Sequence, residues 1–446
     1  MSSMFFIAFF TLLLVVFEFF GLLSSRTPRT PKLPPAIWIA AVIAGYAVQL
    51  GVVYYAAHNQ YPADPWRFAM PLMVVDDRGL ATANADVLTG IMLAVAALQS
   101  YALLAIYRTV PSQRAIVAGC AVLLVLSLAA PALMSFDLYG YVHNGLLGLA
   151  AYTPPGTPFP GEYHVIDLWF GHPTATLYGP LWLVVAPIVT SLGPTLLTKI
   201  LALRLLNAAL FVALVAALGA LGLPPRVRAI AALNPGLALQ FVANGHNDII
   251  AIVLLAYAAA FIKRRAPLLG TGLIAVAGLV KLPYAVLGLP LLATVRPLWM
   301  RLAWAIGMFA VVVACSWFGG GIGYFNSLFG NVTARPEDVV HRIAGVAALV
   351  LIALAFFGGR RLRTTGWVVP NLAAVVFAWY FAWGVPYALA RRRILAYVLV
   401  LFPFVTVLFE SSFERSWELL VVLPIVTMAA VFAPDKPVTL KGAVAT

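Results

Sequence analysis

The chain has 446 residues, 63% of them hydrophobic and only 10% charged, with a mean hydropathy of +0.98. Soluble domains carry about 45–50% apolar residues, so a core of this composition requires the bilayer as its solvent. The net charge of +13 sits in short loops between apolar runs. That placement excludes a nucleic-acid-binding stripe, and the absence of strict apolar/polar alternation excludes an outer-membrane barrel.

Apolar runs of spanning or near-spanning length fall at 4–23, 36–57, 86–107, 115–134, 195–221, 229–243, 247–262, 267–281, 282–295, 302–319, 342–358, 366–379, 380–391, 394–411 and 417–433. The fold expected is an all-α polytopic integral membrane protein, one domain over residues 1–446, with about 11–14 transmembrane helices. The first run lacks a basic leading segment and a small-residue cleavage site, and reads as a retained helix. The stretches 267–295 and 366–391 read as half-helices or broken hairpins. Cys120 and Cys315 lie within apolar runs and read as core residues.

Lysine and arginine orient the chain. Arg26, Arg29 and Lys32 form one basic loop and Arg108 and Arg114 another. Arg226 with Arg228, Lys263 to Arg265, Arg296 with Arg301, Arg360 to Arg363 and Arg391 to Arg393 follow. Placing all of these in the cytoplasm satisfies the positive-inside rule and puts the N-terminus outside. One condition follows: segment 178–192 must not cross, and is expected to be an interfacial or re-entrant helix. Of the 15 acids, all but Glu18 and Asp435 then gather on the outer face. Acids contribute little to orientation themselves, so their gathering points to a site on that face.

The stretch from Ser135 to Leu183 is polar, aromatic and rich in Pro and Gly, and carries Asp137, His143, His164, Asp167 and His172. Ionisable groups at a lipid boundary mark function. Asp137, Tyr141 and Asn144 stand at i, i+4 and i+7, one face of a helix. A carboxylate there can take the proton of an attacking hydroxyl; it can equally begin a surface helix as a cap. Asn244-Gly-His246-Asn247-Asp248 presents a histidine and an acid that suit hydroxyls or a phosphate, or again a helix cap. Lys281, in Leu279-Val-Lys-Leu-Pro283-Tyr284, costs about 2.5–3.5 kcal/mol at a helix centre. It calls for a phosphate, or snorkels to the headgroups. Trp379-Tyr380-Phe-Ala-Trp383 offers rings for a sugar face or a prenyl chain, or an interfacial belt. Residues 319–342 read as an outer loop, a solvated one by its composition, in which Arg335, His341 and Arg342 could alternatively supply cations suited to phosphate. No nucleotide loop, Gly-x-Ser-x-Gly, His-Glu-x-x-His or Cys-x-x-Cys occurs. No cofactor and no metal ligand set is expected.

Asp137-x-Tyr-x-Tyr141, a glycine turn, a Pro-rich stretch and His172-Pro-x-x-x-x-Tyr178-x-Pro180 together resemble the first outer loop of polyprenyl-phosphate-dependent membrane glycosyltransferases. These are enzymes of the GT-C fold, and the bacterial polyprenol-phosphate-mannose mannosyltransferases are the group most like this chain. The Gly-His-Asn-Asp turn, the Val-Lys-x-Pro segment and the Trp-Tyr-x-x-Trp-x-x-Pro hairpin follow in the order of that family. Asn144 stands where similar enzymes often carry an acid. The resemblance implies a GT-C-like bundle with a helical first outer loop in the bacterial inner membrane. It implies transfer of a hexose, mannose by this likeness, from a polyprenyl-phosphate donor to a glycan or glycolipid acceptor. The resemblance maps the general base to Asp137. Beside it, residue chemistry makes Lys281, Arg335 and Arg342 the candidates for the donor phosphate, and Tyr141, His143, Asn144, His172, Tyr178, His246, Asn247, Asp248, Trp379, Tyr380 and Trp383 those for the acceptor or the sugar. A flippase for a lipid-linked sugar is the alternative. It predicts pseudo-symmetric halves and polar residues leading to both faces, and neither is visible here. A scaffold in an envelope-assembly complex is a third reading.

Overall fold

The computed structural model describes residues 33–60, 85–130, 137–157, 159–161, 163, 175–295, 297–333, 339–358, 369, 378–385 and 392–410. Among these residues there is no strand. The fold is all-α and polytopic, as composition requires. Helix α1 is Pro35–Gln60, α2 Ala85–Thr109, α3 Gln113–Ala129 and α4 Asp137–Leu147. Helix α5 is Pro180–Thr190, α6 Leu196–Ala220, α7 Pro225–Ala232 and α8 Asp248–Lys263. Helix α9 is Pro267–Val280, α10 Leu282–Gly288, α11 Leu298–Thr333, α12 Val339–Gly358 and α13 Arg392–Glu410. Among the described residues four helices are long and apolar enough to cross a bilayer, over Pro35–Tyr55, Val87–Thr109, Leu196–Ala220 and Leu298–Gly330. The runs at 4–23 and 417–433 lie outside the described residues, as does most of 366–391.

Local signals set the helix ends. Proline opens α5, α7 and α9, where its missing N–H costs nothing and its φ is already helical. Thr195 and Thr198 form a reciprocal capping box at the start of α6, and Ser112 caps α3 through the Ala115 amide at 3.3 Å.

Among the described residues, basic loops share one end of the bundle. Lys263 Nζ donates to the Leu221 carbonyl at 2.7 Å and Arg264 to the Ala220 carbonyl at 3.1 Å, joining the ends of α8 and α6. The Arg226 guanidinium lies 5.5 Å from the Tyr107 ring, which brings the end of α2 to the same place. Arg301, at 6% exposure, donates to carbonyls of Ala293, Val295 and Phe356 and adds the start of α11 and the end of α12. Cations on the last carbonyls of helices also complement the helix dipole.

Helix α5 has only 11 residues, about 16 Å of rise, too short to span. That length accords with the expectation that 178–192 is interfacial or re-entrant. The 267–295 stretch is a broken hairpin: α9 rises for about 21 Å, the chain turns extended at Lys281 (φ −159°, ψ 122°), and α10 leads back through a 3-10 turn at Leu289–Thr294. Pro283 cannot donate to the Leu279 carbonyl, so the helix cannot continue through this point.

Two expectations need correction. The run 229–243 is not one helix: α7 stops at Ala232, and a turn at Pro235–Leu237 runs into a π-helical turn at Ala238–Ala243. Pro235 has no amide to continue the ladder. Asn234 caps the second half through the Leu237 amide at 3.1 Å and donates to the Leu399 carbonyl of α13. The reading of 319–342 as a loop also fails over its described residues, 319–333 and 339–342. Helix α11 continues to Thr333 with a kink at Gly321 (φ 54°, ψ −149°). Gly319 and Gly320 sit against Pro180 and Tyr152 so closely that side chains there would clash. The glycines therefore serve helix packing, not a loop. Much of α11 faces outward, Phe318 at 88% exposure, as a lipid-facing helix does.

Candidate active site

Helix α4 places Asp137 and Tyr141 one turn apart on one face. The Gly-His-Asn-Asp turn comes to meet them. Gly245 has φ +73°, and a Cβ there would lie 2.3 Å from Leu138 Cδ1. Only glycine combines that conformation with that approach. His246 Nδ1 thereby reaches Asp137 Oδ2 at 3.1 Å, the histidine side chain fully buried and the acid's 19% exposed. The carboxylate accepts, so Nδ1 carries the proton in this contact.

Tyr141 is the hub of the next layer. Its hydroxyl lies 3.5 Å from Asp137 Oδ2, 3.2 Å from Asn247 Oδ1 and 3.1 Å from the Tyr178 hydroxyl. Its ring meets Trp182 edge-on at 5.1 Å. Burial pushes the Tyr141 and Tyr178 phenols above their ordinary pKa, so both remain protonated donors at neutral pH.

The segment carrying Tyr178 is tied from three sides. The Thr176 amide donates to the Ala151 carbonyl at 3.0 Å, Ser327 Oγ donates to the Thr176 carbonyl, and the Tyr152 hydroxyl donates to the Tyr178 carbonyl at 3.1 Å. The Gly179 amide takes the Val280 carbonyl at 2.8 Å, one of the groups released by the helix break at Lys281. A Cβ on Gly179 would lie 2.2 Å from the Leu279 carbonyl oxygen.

That contact brings the lysine into the cluster. Lys281 is 6% exposed, and its ammonium donates to the Tyr380 hydroxyl at 2.7 Å. It lies 5.2 Å from the Tyr178 ring centroid, 5.0 Å from Tyr380 and 5.9 Å from Tyr284, in cation–π range. It does not snorkel. An ammonium has three donors, and the tyrosine takes one. Tyr380 stacks on Trp383 at 3.6 Å, and both are buried, so they are no interfacial belt. Asp248, 1% exposed, accepts from Tyr284 and from Trp383 Nε1 (3.2 Å) on the same oxygen, Oδ1. Asp248 Oδ2 and Asn247 Nδ2 are buried with no hydrogen-bond partner among the described residues. Asn247 begins α8 without a side-chain cap bond, so the turn is more than a cap.

Of the residues expected at a site, the structure unites Asp137, Tyr141, Tyr178, His246, Asn247, Asp248, Lys281, Tyr380 and Trp383. His143 and Asn144 are buried in α4. His143 turns to another flank, edge-on to Phe159 at 5.3 Å, its Nε2 without a hydrogen-bond partner among the described residues. The Asn144 position brings no second acid to the cluster. Arg342 is exposed on α12. Arg335, His172 and the side chain of Trp379 lie outside the described ones. Among the described residues no three His, Cys, Asp or Glu side chains converge as a metal site. Two contributors were missed: Tyr284 and Trp182. Tyr284 follows Lys281 by three residues, and that spacing was its signal. Trp182 reads in sequence as one more apolar residue.

The family model for the alpha-(1->6)-mannopyranosyltransferase N-terminal domain (MptA_B family) matches residues 39–301, more than half of the chain. The chain belongs to this mannosyltransferase family. No curated protein and no solved structure matches it. The matched span of the mannosyltransferase domain contains Asp137, the Gly-His-Asn-Asp turn and Lys281. Tyr380 and Trp383, which complete the cluster, lie beyond it. The protein is a membrane mannosyltransferase, and its activity is glycosyl transfer.

Two outcomes follow from this geometry. Gly179→Ala sets a methyl against backbone and should cost about 1–3 kcal/mol by overpacking. It should lower mannosyl transfer by displacing Tyr178 from Lys281; melting in detergent and a transfer assay check both. Burial pushes the His143 pKa from 6.5 down to about 4. The unfolded chain therefore binds the extra proton between these values. The stability this group contributes is full above about 6.5 and is lost as pH falls toward 4. His143→Gln should flatten the melting temperature between pH 7 and pH 4.5 relative to wild type.

Proposed function

We propose that the protein transfers mannose from a polyprenyl-phosphate carrier to a hydroxyl of a glycan or glycolipid, at the outer face of a bacterial inner membrane that it crosses several times. One observation carries this reading. An acid and a cation are joined through shared tyrosines, Asp137 to Tyr141 to Tyr178 to Lys281, in a buried aromatic cluster.

Asp137 is the general base. Its carboxylate is partly exposed, so an acceptor hydroxyl can reach it, and the His246 Nδ1–H fixes its direction. As Asp137 takes the hydroxyl proton, the acceptor oxygen forms a bond to the anomeric carbon. The bond from that carbon to the phosphate oxygen breaks on the opposite side, its electron pair leaves with the polyprenyl phosphate, and the configuration inverts. The leaving group is anionic. Lys281, with two ammonium donors beyond the one given to Tyr380, suits it. A buried cation stabilises developing charge far better than one in water. Arg335 and Arg342 are the outer-face cations that would assist.

Asp248 Oδ2 and Asn247 Nδ2 supply an acceptor and a donor that sugar hydroxyls would satisfy. Trp383 and Tyr380 provide a stacked aromatic wall for a sugar face or the first prenyl units. A donor that arrives in the lipid explains why a transferase needs no nucleotide-binding motif. The basic loops at the opposite end of the bundle support the outer placement of the site, and the GT-C class and a single domain over the chain fit the same reading.

The test uses the full chain in nanodiscs with radiolabelled polyprenyl-phosphate mannose and a crude glycolipid acceptor pool. Asp137→Asn should lower kcat by about 100- to 10 000-fold with the donor KM nearly unchanged. Equal transfer by variant and wild type would remove Asp137 as the base. Lys281→Met should lower kcat by about 100-fold or more and weaken inhibition by added polyprenyl phosphate. Undiminished inhibition would separate the lysine from the phosphate. No transfer from this donor by folded wild type overturns the donor assignment.

A further inference from the structure

Helix α6 crosses the bundle as one of the most apolar spans, yet it carries Arg204 and Asn207 at 0% and 2% exposure. Neither belongs to the cluster around Asp137 and Lys281. A buried arginine in a membrane span requires partners, and here they are backbone carbonyls. One terminal nitrogen of Arg204 donates to Leu128 at 3.3 Å and to Ser127 and Ala130. The other donates to Ala243. Asn207, nearly one turn on, donates from Nδ2 to the Phe241 carbonyl at 2.7 Å and the His246 carbonyl at 3.3 Å.

These carbonyls are not a random set. Ser127 to Ala130 close α3 on the approach to Asp137. Phe241 and Ala243 close the π-helical turn that leads into Gly245 and His246. The last carbonyls of a helix have no partner within it, and hydrocarbon offers no water to replace one. A single stretch of α6 thus grips both segments that deliver the acid and its histidine. Arg204 is committed to carbonyls on two sides, so its charge serves geometry and not ligand binding.

We infer that Arg204 and Asn207 form a clamp that sets His246 against Asp137, making them positioning residues for mannosyl transfer. The inference rests on Asp137 as the base. Asn207→Ala, His246→Ala, the double variant and Arg204→Lys are each compared with wild type in nanodiscs, with kcat scaled to folded protein and melting measured alongside. Asn207→Ala should lower kcat about 10- to 100-fold, the scale of an ångström-sized misplacement, with the donor KM within about threefold. Once His246 is alanine, removing Asn207 should change kcat by less than about twofold, because both act through one contact. Arg204→Lys keeps a charge but not the fork that bridges two segments, and should show the same kcat-selective loss.

Unchanged kcat per folded molecule in Asn207→Ala and Arg204→Lys, with only melting lowered, would make the pair merely structural and overturn the clamp. Effects of Asn207→Ala and His246→Ala that simply multiply would do the same. Full activity in Asp137→Asn would defeat the general-base reading alone; the clamp would then stand or fall on the Asn207–His246 coupling.

Discussion

The contact between His246 Nδ1 and Asp137 Oδ2, 3.1 Å long across 109 residues of sequence, is the interaction to which the rest of the site is referred. It joins the first turn of α4 to the turn that opens α8. In hydrocarbon a polar group has only the protein to pair with. Tyr141 pairs with Asn247, Tyr284 with Asp248 and Tyr380 with Lys281, and so a buried polar layer accumulates around one acid and one lysine.

Helix breaks are what make such a layer possible. An uninterrupted span satisfies its own backbone and has nothing to offer a loop. Pro283 interrupts one span, and the Val280 carbonyl released at that break is taken up by the Gly179 amide; the carbonyls of Phe241 and Ala243, at the end of the π-helical turn, are taken up by α6 side chains. Each break is therefore also a joint. The one at Lys281 lets the outer loop descend to the lysine; the one ending in the π-helical turn lets the histidine face α4. π-helical turns concentrate at functional sites for this reason.

Charge is divided just as sharply. Lysines and arginines at the ends of α6, α8 and α11 hold helix carbonyls at one end of the bundle. The acid, the histidine and the break-point lysine lie where the helices turn back. The lipid-borne donor proposed for this mannosyltransferase would use that division: the cationic end would fix orientation, and the polar layer would receive a phosphate with sugar attached.

The sequence by itself determined the class of fold, the rough positions of the spans and the residue types of the site. Hydrophobic length and the positive-inside bias are one-dimensional signals, as is the cost of a lysine such as Lys281 in an apolar run. The same logic applied to Arg204 would have singled it out, since a charge inside Leu196–Ala220 is no less expensive. Tertiary structure alone decided where the side chains of three motifs turn. Asn247 turns to Tyr141 instead of capping, Lys281 meets tyrosines instead of headgroups, and Tyr380 and Trp383 are buried instead of interfacial. It also decided that residues 319–333 are helix and that 229–243 is broken. Those outcomes depend on contacts between segments a hundred or more residues apart, and on which carbonyls a break releases. Neither is encoded in the local period of the chain.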